Sequence, residues 1–401
     1  MYERFDFTVR LHVVGEAFKS PHVSASLMID LFKSYKIGGL EIRNRFVRSA
    51  STSAWADDRG VIRPEVIDLY EGLAEGGVGL IIKGHLYIDP RGKAHAGMAG
   101  IHDDVVVPRL KELTDAVHRH EGAIFAQINY GGYQAKAGER MGPSEYEGDG
   151  WKARSMTVQE IWGVVDKFGS GAERAIRAGF DGVQIHAAHG YLISEFLSKL
   201  ANRRTDEWGG SLRNRLHLLH EVYDDIRSRI GSDIPVSMKM NCDDFSDDGF
   251  TVDEAAQVAH SLAMRGMDMI EVSGGGIGSV DRVDGSVVGE RERARDKHRD
   301  RARHSDPLLA EPSFAGYCEV IRGSTRPKTL ALVNGFRTKA AMQAIVDRDI
   351  ADLISMSRPF IREPDLVKNL KNGQNEVACI RCSACEATSV FSKEMLRCRV
   401  V

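Results

Sequence analysis

The sequence predicts an α/β fold: a (β/α)8 TIM barrel with extended βα loops and a short cysteine-containing C-terminal tail. Three observations carry the prediction. Eight short apolar runs rich in β-branched residues recur along the chain, and amphipathic stretches with apolar residues at three- and four-residue spacing separate them. No Gly-x-Gly-x-x-Gly opens the first unit, as the competing doubly wound dinucleotide fold prefers.

Taken in order, the strand candidates are Arg45–Ser49, Gly79–Ile82, Ala123–Gln127, Gly182–His186, Pro235–Met240, Met269–Val272, Thr329–Val333 and Asp352–Ser355. The helix patterns between them include Val105–His120, Val158–Ala178, Leu212–Ile230, Val252–Arg265 and Lys339–Arg348. These divide the chain into an N-terminal extension (1–30), the barrel (31–375) and a Cys-rich tail (376–401). Two long interruptions follow strands. Asn129 to Met156, with Gly131-Gly132 and Gly142-Pro143-Ser144, is too polar and glycine-rich for a helix. Gly274 to Pro312 includes the mixed-sign run Gly289–His304, which reads as a solvated surface segment. Barrel enzymes place their chemistry in the loops at strand C-termini, so both interruptions and the tail are expected to wall an active site.

With 42% hydrophobic and 28% charged residues the chain can bury a large core, and a net charge of −3 gives no electrostatic reason to expect nucleic acid. Met1 to Ser24 carries Glu3, Asp6 and Glu16 and no signal-like apolar core, and no run reaches the roughly 18 apolar residues of a membrane span. The expectation is a cytoplasmic protein with no membrane association, and a homo-oligomer is compatible with it. Of the six cysteines, Cys379, Cys382, Cys385 and Cys398 crowd into the tail while Cys242 and Cys318 stand alone, which is not a disulfide framework.

The most informative segment runs Gly179-Phe-Asp-Gly-Val-Gln-Ile-His-Ala-Ala-His-Gly-Tyr-Leu-Ile-Ser-Glu-Phe-Leu-Ser198 and continues as Asn202-Arg-Arg-Thr-Asp-Glu-Trp-Gly-Gly-Ser-Leu-Arg-Asn-Arg215. Its buried strand ends at His186, so His186, His189 and Tyr191 leave the barrel at the catalytic face. A zinc site is the competing reading of His-x-x-His, but no third ligand stands at the usual offset, and none is assigned. The loops after the seventh and eighth strands, Asn334-Gly335-Phe336-Arg337 and Met356-Ser357-Arg358-Pro359, suit a phosphate: Gly335 lets backbone N–H groups approach and Arg358 offers a forked cation.

At His-x-x-His-Gly-Tyr, Phe-Leu-Ser, Asn-x-Arg-Thr-Asp and Gly-Gly-Ser-x-x-Asn-Arg the sequence resembles the Old Yellow Enzyme family of ene-reductases, from Leu31 to about Leu370, with the single-domain members near the 2,4-dienoyl-CoA reductase branch the most similar. The resemblance implies an FMN that is reduced by NADH or NADPH and passes hydride to a small-molecule substrate with an electron-poor alkene. In Asn44-Arg-Phe-Val-Arg-Ser-Ala-Ser-Thr52 it implies that backbone at Ala50 and Ser51 faces the flavin and that the Thr52 hydroxyl sits near flavin O4. Many relatives carry Pro-Met or Pro-Leu where this chain has Ala50-Ser51. Gly84 and His85 match a position where backbone approaches the flavin, Gln127 one whose amide complements the pyrimidine edge, and Lys239 one where many relatives carry arginine beside flavin N1 and O2. Gly335, Ser357 and Arg358 would then hold the FMN phosphate, with Asn334 and Ser357 replacing the first glycine of each family pair.

The expected mechanism has His186 and His189 donating to the substrate's carbonyl oxygen while Tyr191 protonates the α-carbon. Two other readings remain open. Cys379-x2-Cys382-x2-Cys385-x12-Cys398 supplies the thiolates of a 4Fe-4S cluster or a zinc site, as in an iron-sulfur flavoprotein, although that is not the favoured reading. A flavin-binding sensor would use the barrel without turnover, and the retained His186, His189 and Tyr191 argue against it.

Overall fold

Eight parallel strands close on themselves: β1 (Phe46–Ser51), β2 (Leu80–Tyr87), β3 (Ala123–Asn129), β4 (Gly182–Ala187), β5 (Val236–Asn241), β6 (Met269–Ser273), β7 (Leu330–Val333) and β8 (Leu353–Met356). Each pairs with the next in sequence, and β8 returns to β1 through Ile354↔Phe46 and Met356↔Arg48. This computed structural model describes residues 28–148, 150–276, 306, 308–324, 328–386 and 394–400. The first 27 residues and the charged run Gly289–His304 lie outside the described residues.

All eight expected strands are present, and the reason is period. Strands buried on both faces read as continuous apolar runs, and β2, β3 and β5 are buried along their whole length. Val47, Leu80, Ile82, Phe125, Met269, Ala331 and Leu353 fill the lower barrel, while Ile81, Ile124 and Val183 belong to the larger core beneath the helices. An antiparallel hairpin, Tyr35–Ile37 with Leu40–Ile42, closes the N-terminal end by inserting Ile37 and Ile42 into the inner cluster. Each of these fully buried side chains contributes roughly 2–3 kcal/mol.

The main crossover helices are α1 (Pro64–Glu75), α2 (Val107–His118), α3 (Val158–Arg177), α4 (Leu192–Leu197), α5 (Leu212–Arg215), α6 (His217–Ile230), α7 (Val252–Arg265), α8 (Ala315–Ser324), α9 (Lys339–Asp347), α10 (Arg358–Arg362) and α11 (Leu366–Lys371). Helix α3 starts at a capping box, with Thr157 accepting from the Glu160 amide and Glu160 accepting from the Thr157 amide. Helix α7 stops at Gly266, whose φ of 99° is left-handed.

One expectation needs correction. Leu212–Ile230 forms two segments, α5 and α6, although the intervening Leu216 keeps helical angles of −76° and −16°. The excursion Asn129–Met156 forms no α-helix among its described residues, in line with its polarity and glycines, and it holds a three-stranded sheet of Arg140–Gly142, Trp151–Ser155 and Tyr146–Gly148, with Tyr133 stacked on Tyr146 at 5.0 Å. Strands of three to five residues leave too few alternations for a period to register.

Candidate active site

The C-terminal strand ends open into a cleft lined by Ser49, Ala50, His189, Lys239, Ser273, Val333, Asn334, Gly335, Phe336, Met356, Ser357, Arg358, Pro359, Val377, Cys379 and Arg381. Three of these side chains are cations, Lys239, Arg358 and Arg381, and none is a carboxylate. Lys239, on β5, is buried and donates to Ser49 Oγ at 2.8 Å, with the Glu271 carboxylate 3.3 Å away. Burial lowers the Lys239 pKa, and Glu271 opposes that shift.

At the far end, Gly335 has a φ of 102° and would meet Glu311 O at 2.4 Å with any Cβ, so only glycine fits there. The preceding Asn334 takes φ 82°, a left-handed geometry that asparagine tolerates. Arg358 Nη1 donates to Ser383 Oγ at 3.0 Å, and Arg381 donates to Gly335 O. The cysteine tail thus folds back over this end of the cleft, and Leu396 N donates to Ser53 O at 3.1 Å on the barrel side.

His186 and Tyr191 lie beside the cleft, and His189 reaches into it. The His186 ring stands 5.2 Å from His189 and 4.8 Å from Tyr191, centroid to centroid. Burial, followed by the charges of His189 and Lys239, holds His186 well below the usual imidazole range. Ala188 N donates to His186 Nδ1 at 3.4 Å, and His189 Nε2 lies 2.8 Å from Ser273 Oγ. Two further imidazoles join them. His85 lies 4.9 Å from Tyr191 and pairs through Nδ1 with Asn129 Nδ2 at 2.8 Å, and His95 lies 5.6 Å from His85. Burial also lowers both pKa values, that of His95 to about 4.

Of the expected site residues, Ala50, His189, Lys239, Gly335, Ser357 and Arg358 line the cleft. Ser51 turns its hydroxyl to Ser357 Oγ at 2.5 Å. Gly84 lies so near Ala50 and Gln127 that a Cβ there would meet Ala50 Cβ at 2.5 Å and Gln127 Oε1 at 2.9 Å. Thr52 stands apart from the cleft lining and bonds His95 Nε2 at 3.1 Å. Sequence reasoning missed Ser49, Ser273, His95 and Arg381, and it took His85 only for its backbone. The side chain of His85 was legible, since it follows Gly84 on the same strand; Arg381 was not, because no spacing rule folds the tail onto the cleft.

Residues 30–376 match the sequence profile of the NADH:flavin oxidoreductase / NADH oxidase family. The chain belongs to this family. It is 33% identical over 387 residues to an NADH oxidase of Thermoanaerobacter brockii, covering 92% of this chain and 56% of that protein. An NADPH dehydrogenase of Geobacillus thermodenitrificans is 38% identical over 251 residues, 62% of this chain and 73% of that one. Among solved structures, the Old Yellow Enzyme homologue of Zymomonas mobilis superposes with a TM-score of 0.72 at 25% identity, over 91% of this chain and 97% of that one. The chain spans about half the length of several curated relatives it matches.

The chemistry of this NADH:flavin oxidoreductase family uses a flavin and a nicotinamide nucleotide. The residues present fit FMN. Arg358 and Arg381, which line the cleft, have the charge and donors to hold a terminal phosphate, and the buried Lys239 has the charge to meet a ring carbonyl edge. Val333, Phe336, Met356 and Val377 supply apolar wall. Among the described residues no group of three or more His, Cys, Asp or Glu side chains is placed to hold a metal ion, the tail cysteines included, and no helix is long and apolar enough to cross a membrane.

Proposed function

We propose that the protein is an FMN-dependent oxidoreductase that uses NADH or NADPH to reduce the C=C bond of an enone, enal or enoyl thioester. The observation that carries the reading is the carboxylate-free cleft with three cations, which adjoins His186, His189 and Tyr191 on one side. A dianionic phosphate and a ring that gains negative charge on reduction both favour such a lining.

FMN, when bound, supplies the hydride. His186 is held neutral by burial, and with Nδ1 accepting from Ala188 its proton sits on Nε2. That N–H donates to the substrate's carbonyl oxygen, where charge grows as the β-carbon is reduced. His189, with Nε2 taken by the Ser273 hydroxyl, offers Nδ1–H to the same oxygen. Tyr191 delivers a proton to the α-carbon. The tail residues Arg381 and Cys379 line the phosphate end, and Arg381 adds a second cation there.

Chromatography of the flavin released from purified protein, followed by stopped-flow mixing with NADH and NADPH and then cyclohexenone, tests the proposal. FMN, bleaching by a nicotinamide and reoxidation by the enone are expected. A flavin that neither nicotinamide bleaches would instead support a sensor.

A further inference from the structure

Glu271, on β6, is wholly buried inside the barrel and lines no cleft, yet it organises the residues that do. Its Oε1 accepts from Ser49 Oγ and from Ser355 Oγ, each at 2.7 Å. Its Oε2 accepts from Gln184 Nε2 at 3.1 Å and lies 3.3 Å from Lys239 Nζ. A carboxylate buried this completely is tolerated only with donors on both oxygens, and here all four neighbours donate.

The polarity of that carboxylate propagates. A carboxylate can only accept, so Gln184 must turn its amide nitrogen toward it and keep its oxygen on the other side. That oxygen accepts from Gln127 Nε2 at 2.7 Å. Gln127 thereby has its amide nitrogen turned toward Gln184, and its Oε1 lies on the Gly84 side and takes no protein donor among the described residues. An amide that is otherwise free to flip is thereby fixed from two residues away.

We propose that Glu271 is a positioning residue for the flavin: it fixes Gln127 so that an oxygen, not an NH2 group, meets the ring imide N–H, and it offsets part of the positive charge that Lys239 presents to the ring. The inference rests on the flavin reading above. It separates two effects that one carboxylate combines, an orientation relayed through Gln184 and a charge delivered directly to Lys239.

Glu271→Gln removes the charge and gives Gln184 a neighbour that can donate, so the relay can reverse. The variant should bind oxidised FMN at least tenfold more weakly. It should also favour reduced over oxidised FMN by about tenfold relative to wild type, because Lys239 is no longer offset. For a two-electron couple that is a rise of about 30 mV in potential. Gln184→Met breaks the relay and keeps the charge. It should weaken FMN binding similarly and leave the potential where it is, and it carries the test if Glu271→Gln folds poorly. The readouts are the FMN dissociation constant by fluorescence and the potential by dye-equilibrated titration. A Glu271→Gln protein matching wild type in both, or a Gln184→Met protein binding FMN like wild type, overturns the inference. A wild-type protein that binds no FMN overturns the functional reading itself.

Discussion

Arg215 Nη2 lies 2.6 Å from Glu254 Oε1, with the guanidinium almost wholly buried. Arg215 closes the Gly-Gly-Ser-x-x-Asn-Arg motif, and its partner sits in the first turn of α7. Its Nη1 also donates to Leu197 O at the end of α4. Asn202, in the neighbouring motif, donates to Phe196 O and Trp208 O at 2.8 Å each. Much of the most recognisable stretch of sequence is therefore scaffold that ties α4, α5 and α7 together and sets where Tyr191, at the start of α4, can stand.

Breaking the Arg215–Glu254 pair should cost far more than the pair is worth. Arg215→Met leaves the buried Glu254 carboxylate with Lys199 as its remaining cationic partner, and a loss of about 3–5 kcal/mol is expected in urea unfolding. Arg215→Met with Glu254→Leu should recover most of it, because both charges leave together.

Tyr191→Phe should retain FMN and be reduced by the nicotinamide at the wild-type rate, while turnover of cyclohexenone falls by about 10²–10⁴-fold. Separate measurement of the two half-reactions checks this, since a general folding defect would slow both.

Para-hydroxybenzaldehyde, bound as its phenolate, should give a long-wavelength charge-transfer band with the protein, because its oxyanion resembles the charge that His186 and His189 are proposed to receive. His186→Ala with His189→Ala should abolish the band and leave FMN in place. A band of undiminished intensity at the same ligand concentration would misplace the oxyanion site.

Arg358→Ala and Arg381→Ala should each weaken FMN retention on dilution by roughly 10–100-fold, the equivalent of one charge-assisted contact of about 1.5–3 kcal/mol. Both side chains line the cleft, so a loss confined to Arg358 would restrict Arg381 to its bond with Gly335.

Lys83 predicts a pH effect. It is buried beside Tyr70 and Arg48, and burial followed by the Arg48 charge lowers its pKa from 10.5 to about 7. Between those values the unfolded chain binds the proton more firmly than the folded one, so stability rises with pH across the window. Relative to Lys83→Met, the wild type should gain about 2 kcal/mol from pH 7 to pH 9. Parallel denaturation curves at the two pH values measure the difference.

The barrel was legible in the sequence because each strand is buried on both faces and announces itself as an apolar run, as at Leu80–Ile82 and Val236–Met240. His186, His189 and Tyr191 were legible for a related reason: a strand that ends at a polar ring in a parallel barrel must release it at the C-terminal mouth. Residues at strand ends, such as Ala50, Lys239 and Ser357, inherit their position from strand order alone.

Tertiary structure decided the rest. His95 reaches Thr52 only because the loop after β2 folds back over the mouth, His85 within β2 meets Tyr191 only because the segment after β4 brings that ring beside it, and Arg381 reaches the cleft only because the tail does. Glu271 acquires its partners from β1, β4, β5 and β8, residues that are 222, 87, 32 and 84 positions away in the chain. Sequence periodicity states which side chains face inward. Which inward-facing side chains meet depends on barrel closure and stagger, and those exist only once all eight strands have paired.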